Sequence, residues 1–289
     1  MRLCTFQRPD GSVGHGRVDD PTLIEVLGEG DLQAVVTDPG AVSATGSTEP
    51  VDGVQILAPL LQPGKILAAA TNYQEHIVEG GGTPVDKART SPKLFTKPDT
   101  ALIGPGAPFV LPEISDTADW EVELAVVIGR AARGVAATEA LDHVFGYATS
   151  NDISLRSLTL GYERDDGPNV GFFDWLEGKW ADGSAPIGPW LVTTDDIPDP
   201  QRLGIRLELN GETRQESSTA EMIFSVAELV SFASRLCTLR PGDIILTGTP
   251  AGVGASTSTY LRDGDLVVAE VDGLGRLETP IVSEQVAVR

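Results

Sequence analysis

Residues 119–124, Asp119-Trp120-Glu121-Val122-Glu123-Leu124, run directly into Ala125-Val126-Val127-Ile128-Gly129, and no other stretch limits the fold of this chain as tightly. The second half is an apolar, β-branched run of the kind found in buried strands, yet two carboxylates enter it two residues apart. Strand periodicity puts Glu121 and Glu123 on one face. Two like charges at the lip of a core repel and lose hydration, so they need a cation between them or a carboxyl pKa raised until one is neutral. A hard divalent ion meets that need: Mg²⁺ takes carboxylate oxygens in a nearly octahedral shell with a few retained waters, and a third acid would complete a facial triad. Asp152, in Ser150-Asn151-Asp152-Ile153-Ser154, is the candidate third acid. An edge strand with its acidic face in water is the alternative reading of the same pair.

Composition removes several function classes. The two cysteines, Cys4 and Cys237, are too few and too far apart for a disulfide framework or a sulfur-ligated zinc site, and three histidines exclude a His-rich metal site. A formal charge of −21 argues against nucleic-acid and anionic-lipid surfaces. It also makes every Lys or Arg near the acidic cluster a candidate for offsetting the charge of an anionic substrate. No apolar run approaches the ~20 residues of a membrane span. Met1-Arg2-Leu3-Cys4-Thr5 has no apolar signal region, so a cytoplasmic location is expected. With 32 glycines and 20 prolines the chain reads as turn-rich and strand-heavy, one large domain of residues 59–289 with a small N-terminal domain of residues 1–58.

In the N-terminal part, residues 2–7, 12–18 and 23–27 read as short strands, residues 28–52 as loosely packed, and His15 as a surface residue. Strands follow at residues 54–59 and 65–70. On a helical turn His76 and Glu79 are neighbours, a base and the carboxylate that orients it. The glycines 80–82 and residues 83–91 look like a mobile loop. Lys97 ends a strand at Pro98 as a possible anion contact, and residues 138–145 read as a short helix. Arg156 shares the face of Asp152 if helical geometry begins there. Residues 161–185 have a loop composition carrying Phe172, Phe173, Trp175, Lys179 and Trp180, aromatics that must cover either a neighbouring subunit or the side of the pocket away from the metal, in which case the substrate carries an apolar or aromatic acyl group. Asn210-Gly211 marks a hairpin with a type I′ turn, and Ser225 with Glu228 is a capping box. The glycine-rich residues 247–254 lack a P-loop ending and a dinucleotide spacing, which excludes nucleotide binding, but the loop offers N–H groups and the Thr249 hydroxyl to a carboxylate.

From about Leu57 to Val282 these pieces resemble the fumarylacetoacetate hydrolase family. The motifs that carry the resemblance, in the family's order, are Asn72-Tyr73 with His76 and Glu79, Lys97-Pro98, Asp119-x-Glu121-x-Glu123-Leu124 and Asn151-Asp152-x-Ser154-x-Arg156. They continue with residues 186–190, Asn210-Gly211-Glu212, residues 238–243 and residues 247–254. The resemblance implies an α+β, mainly β fold, a mixed β-sandwich roll, usually homodimeric. It implies Mg²⁺ or Mn²⁺ on Glu121, Glu123 and Asp152, and a His76–Glu79 pair on a loop that closes over the metal. Residues 69–71 and the aromatic segment 161–180 depart from the family's pattern.

The expected chemistry is carbon–carbon bond hydrolysis of a 2,4-dioxo acid such as an acylpyruvate, giving a pyruvate-like product and a carboxylic acid. His76 and Glu79 activate a water, and Lys179 joins them as a catalytic cation. Lys97, Arg156 and Thr249 bind substrate. The same constellation also suits decarboxylation of a β-oxo acid such as oxaloacetate, or tautomerisation or isomerisation. A non-catalytic module holding a structural cation is the reading from a different class.

Overall fold

The computed structural model describes residues 1–40, 43–163 and 167–284. Of the aromatic segment, residues 164–166 lie outside the described residues, as do 285–289 at the end of the expected large domain.

The fold is α+β and mainly β, and two sheets dominate it. The larger runs through Thr48–Pro50, Leu23–Glu29, Val13–Asp20, Arg2–Gln7, Ala185–Thr193, Val144–Asn151, Val122–Ile128, Ile244–Leu246, Ile66–Ala70 and Lys93–Lys97. Two short strands, Gln55–Leu57 and Leu102–Ile103, attach to it off this path. The smaller sheet runs Glu212–Ser218, Gly204–Leu209, Leu266–Val271, Gly275–Ser283 and Phe109–Leu111. The acidic strand Val122–Ile128 is therefore central, hydrogen-bonded on both sides. That overturns the exposed-edge alternative, since Glu121 and Glu123 are both buried.

Alternation along this strand creates two cores. Val122, Leu124, Val126 and Ile128 face the smaller sheet, where Leu207, Val267, Ala269 and Leu277 meet them. Ala125 and Val127 face the opposite layer with Ile66, Ala68, Leu246 and Phe95. Glu121 and Glu123 have the parity of Ala125 and Val127, so the strand's own period carries both carboxylates to that second face.

Several local expectations are met. Asn210 and Gly211 both have positive φ, 53° and 81°, as a type I′ hairpin requires. The Ser225–Glu228 capping box forms and opens the helix Val226–Leu236. Others need correction. His15 is only 3% exposed: the glycines beside it leave room for the ring, and its Nδ1 lies 3.1 Å from the Gly30 carbonyl. Residues 28–52 are not uniformly loose, because Leu32, Val35 and Val36 around the short helix Gln33–Thr37 are buried in the second core. Residues 138–145 give a single 3-10 turn, Ala140–His143, before the strand that begins at Val144. The aromatic segment contains a helix, Val170–Glu177. Phe172 and Phe173 on it are 56% and 53% exposed, so this chain does not cover them. Among the described residues no helix is long and apolar enough to cross a membrane.

Candidate metal centre and active site

Glu121, Glu123 and Asp152 converge, each offering a carboxylate oxygen within 4.8 Å of the others, and all three are buried. Pairing between the acidic strand and its neighbour sets this up. Val122 is in register with Asn151, the Asp152 N–H donates to the Glu121 carbonyl at 2.8 Å, and the Asn151 Oδ1 accepts the Glu121 N–H at 2.8 Å. Backbone pairing and the Asn151 side chain thus fix the two carboxylate-bearing segments against each other.

Two ammonium groups serve these acids. Lys179 Nζ donates to Glu121 Oε2 and Asp152 Oδ2, both at 2.7 Å, and lies 5.2 Å from the centroid of the Phe95 ring. Lys97 Nζ bonds the other oxygen of Asp152 at 2.7 Å and the Lys179 carbonyl at 2.6 Å. Lys97 is buried behind Asp152 and does not line the cavity shared by His76, Glu121, Glu123 and Lys179. Arg156 arrives without helical geometry, from just past the strand Ser154–Leu155. Its guanidinium lies 2.8 Å from Asp119 and 2.7 Å from Glu121.

Charge is unevenly compensated. Burial works to raise the Glu121 carboxyl, but Lys179 and Arg156 outweigh it and hold Glu121 far below the usual carboxylate range. Glu123 is the opposite case: burial first, then Asp152 and Glu121, push its carboxyl well above that range. Against this act Lys179 and, more weakly, the Gly248 N–H, which donates to Glu123 Oε2 at 2.6 Å. A carboxylate-only cluster with one member under-compensated fits a hard divalent ion, so the residues present suit the Mg²⁺ or Mn²⁺ expected from the sequence.

The helix Gln74–Glu79 brings a hydrogen-bonded His–Glu pair to this centre, with His76 lining the same cavity as Glu121 and Glu123. His76 Nδ1 lies 2.7 Å from Glu79 Oε1, and Glu79 Oε2 accepts the Gly252 N–H at 2.8 Å. Burial acts to raise the Glu79 carboxyl, but His76 and Gly252 together outweigh it and keep it below its ordinary value, and therefore ionised. Gly252 is there of necessity: its φ is +104°, and an added Cβ would stand 2.0 Å from the Arg214 carbonyl. The following loop, expected to be mobile, is bracketed by Gln74, which bonds both the N–H and the carbonyl of Val85. It is tied further by Lys87 on Glu228 at 2.8 Å.

The cavity itself is small, about 40 Å³, and His76, Glu121, Glu123, Arg156, Lys179 and Thr249 all line it. Part of the 247–254 loop is already committed, because the N–H groups of Gly248, Gly252 and Gly254 donate to Glu123, Glu79 and Asp119. Thr249 differs. Its Oγ1 accepts from Gln215 Nε2 at 2.8 Å, so its own proton is left to donate.

Sequence reasoning missed Asp119, Gln215 and Phe95 as site residues, while Trp175 lines the cavity as the pocket-wall reading expected. Asp119 stood in the acid-x-acid pattern and could have been found there; it holds Arg156 and the N–H groups of Gly254 and Ala255. Gln215 gave no signal, sitting in a polar hairpin strand until folding brings it to Val122. A wider groove of about 730 Å³, near Ile114 and Trp180, holds none of the triad.

Residues 65–282 match the family model described as fumarylacetoacetate (FAA) hydrolase, C-terminal, and residues 1–59 match one described as Rv2993c-like, N-terminal. Over 98% of its length the chain is 39% identical to a Xenopus laevis protein named oxaloacetate tautomerase fahd2, mitochondrial, covering 90% of that protein. Two solved structures are similar across 98% of this chain. One is described as a 2-hydroxyhepta-2,4-diene-1,7-dioate isomerase from Mycobacterium marinum (36% identity, TM-score 0.78, 99% of that chain). The other is a fumarylacetoacetate hydrolase from Exiguobacterium antarcticum (30%, 0.79, 100% of that chain).

Proposed function

Since this chain belongs to the fumarylacetoacetate hydrolase family, we propose that it is a divalent-metal-dependent enzyme moving a proton between carbon and oxygen of a 2-oxo acid, a keto–enol tautomerase or isomerase. The observation that carries this reading is the His76–Glu79 pair, with His76 lining the same cavity as Glu121 and Glu123. With Nδ1 occupied by an ionised Glu79, Nε2 is the nitrogen left to take or return a proton. Proton transfer needs only that one base beside the substrate, whereas hydrolysis needs the same base to position and activate a water as well. The names of the Xenopus and M. marinum relatives support the same class.

When bound, a Mg²⁺ or Mn²⁺ ion on Glu121, Glu123 and Asp152 supplies Lewis-acid polarisation of the 2-oxo group. The chain's own residues do the rest. His76 removes the proton at C3 and Glu79 keeps the imidazole oriented. The Thr249 hydroxyl donates to the substrate carboxylate, and Arg156, fixed by Asp119, offsets negative charge at the cavity. Lys179 holds Glu121 and Asp152 in place and contributes a cation close to the reacting end. Lys97 acts through Asp152.

Hydrolysis of an acylpyruvate is the second reading, favoured by the same pair, which can equally activate a water. Measuring enol-to-keto conversion of phenylpyruvate and of oxaloacetate beside cleavage of acetopyruvate, with Mg²⁺ and with EDTA, separates the two. Tautomerisation should exceed cleavage by at least about 10²-fold and fall by a similar factor in His76→Ala. Faster cleavage than ketonisation would make the protein a hydrolase. The division into residues 1–58 and 59–289, and assembly as a homodimer, belong to this proposal.

A further inference from the structure

Outside the carboxylate centre, the helix Val170–Glu177 and the strand Lys93–Lys97 enclose a second cavity of about 450 Å³. Leu94, Phe95, Phe172, Trp175, Leu176 and Trp180 supply most of its wall, and Lys93 is the only charged residue among the described residues lining it. Three residues, Ala70, Phe95 and Trp175, line both this cavity and the catalytic one. The Phe95 and Trp175 rings meet edge to face with centroids 5.2 Å apart, so a single pair of rings divides the two spaces. Lys179, which holds Glu121 and Asp152, lies against the same Phe95 ring.

We infer that the outer cavity is the tail subsite of the active site, and that the substrate is a 2-oxo acid whose far end is an uncharged apolar group, aliphatic or aromatic. This rests on the 2-oxo acid reading above and narrows its substrate class. A volume of 450 Å³ is in the range of small-molecule sites and far above the voids that packed interiors leave. The wall is held in shape without an occupant: Trp180 Nε1 donates to the Thr96 carbonyl at 2.9 Å, and Trp175 and Leu176 pack on the second core. Exposed apolar surface of this kind is costly to leave in water and is relieved by an apolar ligand. A second carboxylate would find only Lys93 and would otherwise be stripped of water between aromatic rings, in a chain of net charge −21.

N-substituted oxamates test this directly. They keep the carboxylate and 2-oxo oxygen, place an amide nitrogen where C3 would be, and cannot enolise. Dissociation constants would be measured by calorimetry on Mg²⁺-loaded protein for N-methyl, N-butyl, N-phenyl and N-(3-carboxypropyl) oxamate. The butyl and phenyl compounds should bind about tenfold or more tighter than the methyl compound, and the carboxypropyl compound no tighter than methyl. Phe172→Glu, at an exposed position that lines the outer cavity alone, should abolish the tail preference and leave N-methyl oxamate unchanged. Equal affinities along the series, tightest binding of the carboxypropyl compound, or equal weakening of all four by Phe172→Glu would overturn the inference. So would flat affinities together with a lower solution mass for Phe172→Glu, which would assign these aromatics to a second copy of the chain. Because oxamates do not react, a tail preference without ketonisation defeats only the tautomerase reading, and ketonisation with a flat series defeats only the tail subsite. If even N-methyl oxamate fails to bind, both fall.

Discussion

Lys97 and Lys179 bond opposite oxygens of Asp152, yet only Lys179 reaches the cavity. Removing Lys97 leaves a buried carboxylate with half its compensation, so Lys97→Met should cost about 3 kcal/mol of stability, read as a lowered Tm. A substrate-binding lysine would instead show a raised KM at unchanged Tm. The pair also shows where residue-scale reading runs out. Glu121 with Glu123, and His76 with Glu79, were legible because strand and helix geometry place residues two and three apart without reference to the rest of the chain. The direction of Lys97 was not, since it depends on a partner 55 positions away. His15 was misread for the same reason, its burial being set by Gly28 and Gly30 on a neighbouring strand and turn. Cys4 offers an independent check, because burial pushes its thiol up to about 12. Thiol reagents at neutral pH should therefore modify Cys237 alone in the folded protein and both cysteines in urea, which mass spectrometry would count.

The glycine-rich loop of residues 247–254 gathers the site by donating to Glu123, Glu79 and Asp119 at once. Gly252→Ala should push that loop off Arg214, free Glu79 from its N–H and lower kcat by at least about tenfold. The helix Val226–Leu236 is the contrast. Ser225→Ala removes its capping box and should cost about 1 kcal/mol by denaturant titration with kcat unchanged. That helix was readable from the sequence because its cap and its apolar spacing agree. The helix Val170–Glu177 was not: it has 8 residues, opens at Asn169 with φ 71° and no side-chain cap, and exposes Phe172 and Phe173, so no fully buried stripe marks its period.

Across the whole molecule, the acidic strand is central in a sheet that also takes in the N-terminal strands, through the pairing of Arg2–Gln7 with Ala185–Thr193. The sheet partners of each strand could not be read from the chain, because pairing joins segments far apart in sequence, but the family's motif order fixed the fold class in advance of them. This architecture buries Glu121, Glu123 and Asp152 with Glu123 under-compensated, and the central claim is that this imbalance is a divalent-cation site. The most direct measurement is calorimetric titration of Mg²⁺ into EDTA-treated protein and into Glu123→Gln. The wild type should bind one ion per chain and gain thermal stability on binding, while Glu123→Gln should stay folded and bind at least about 10²-fold more weakly. Equal affinity in the two proteins, or no saturable binding to the wild type, would contradict the account.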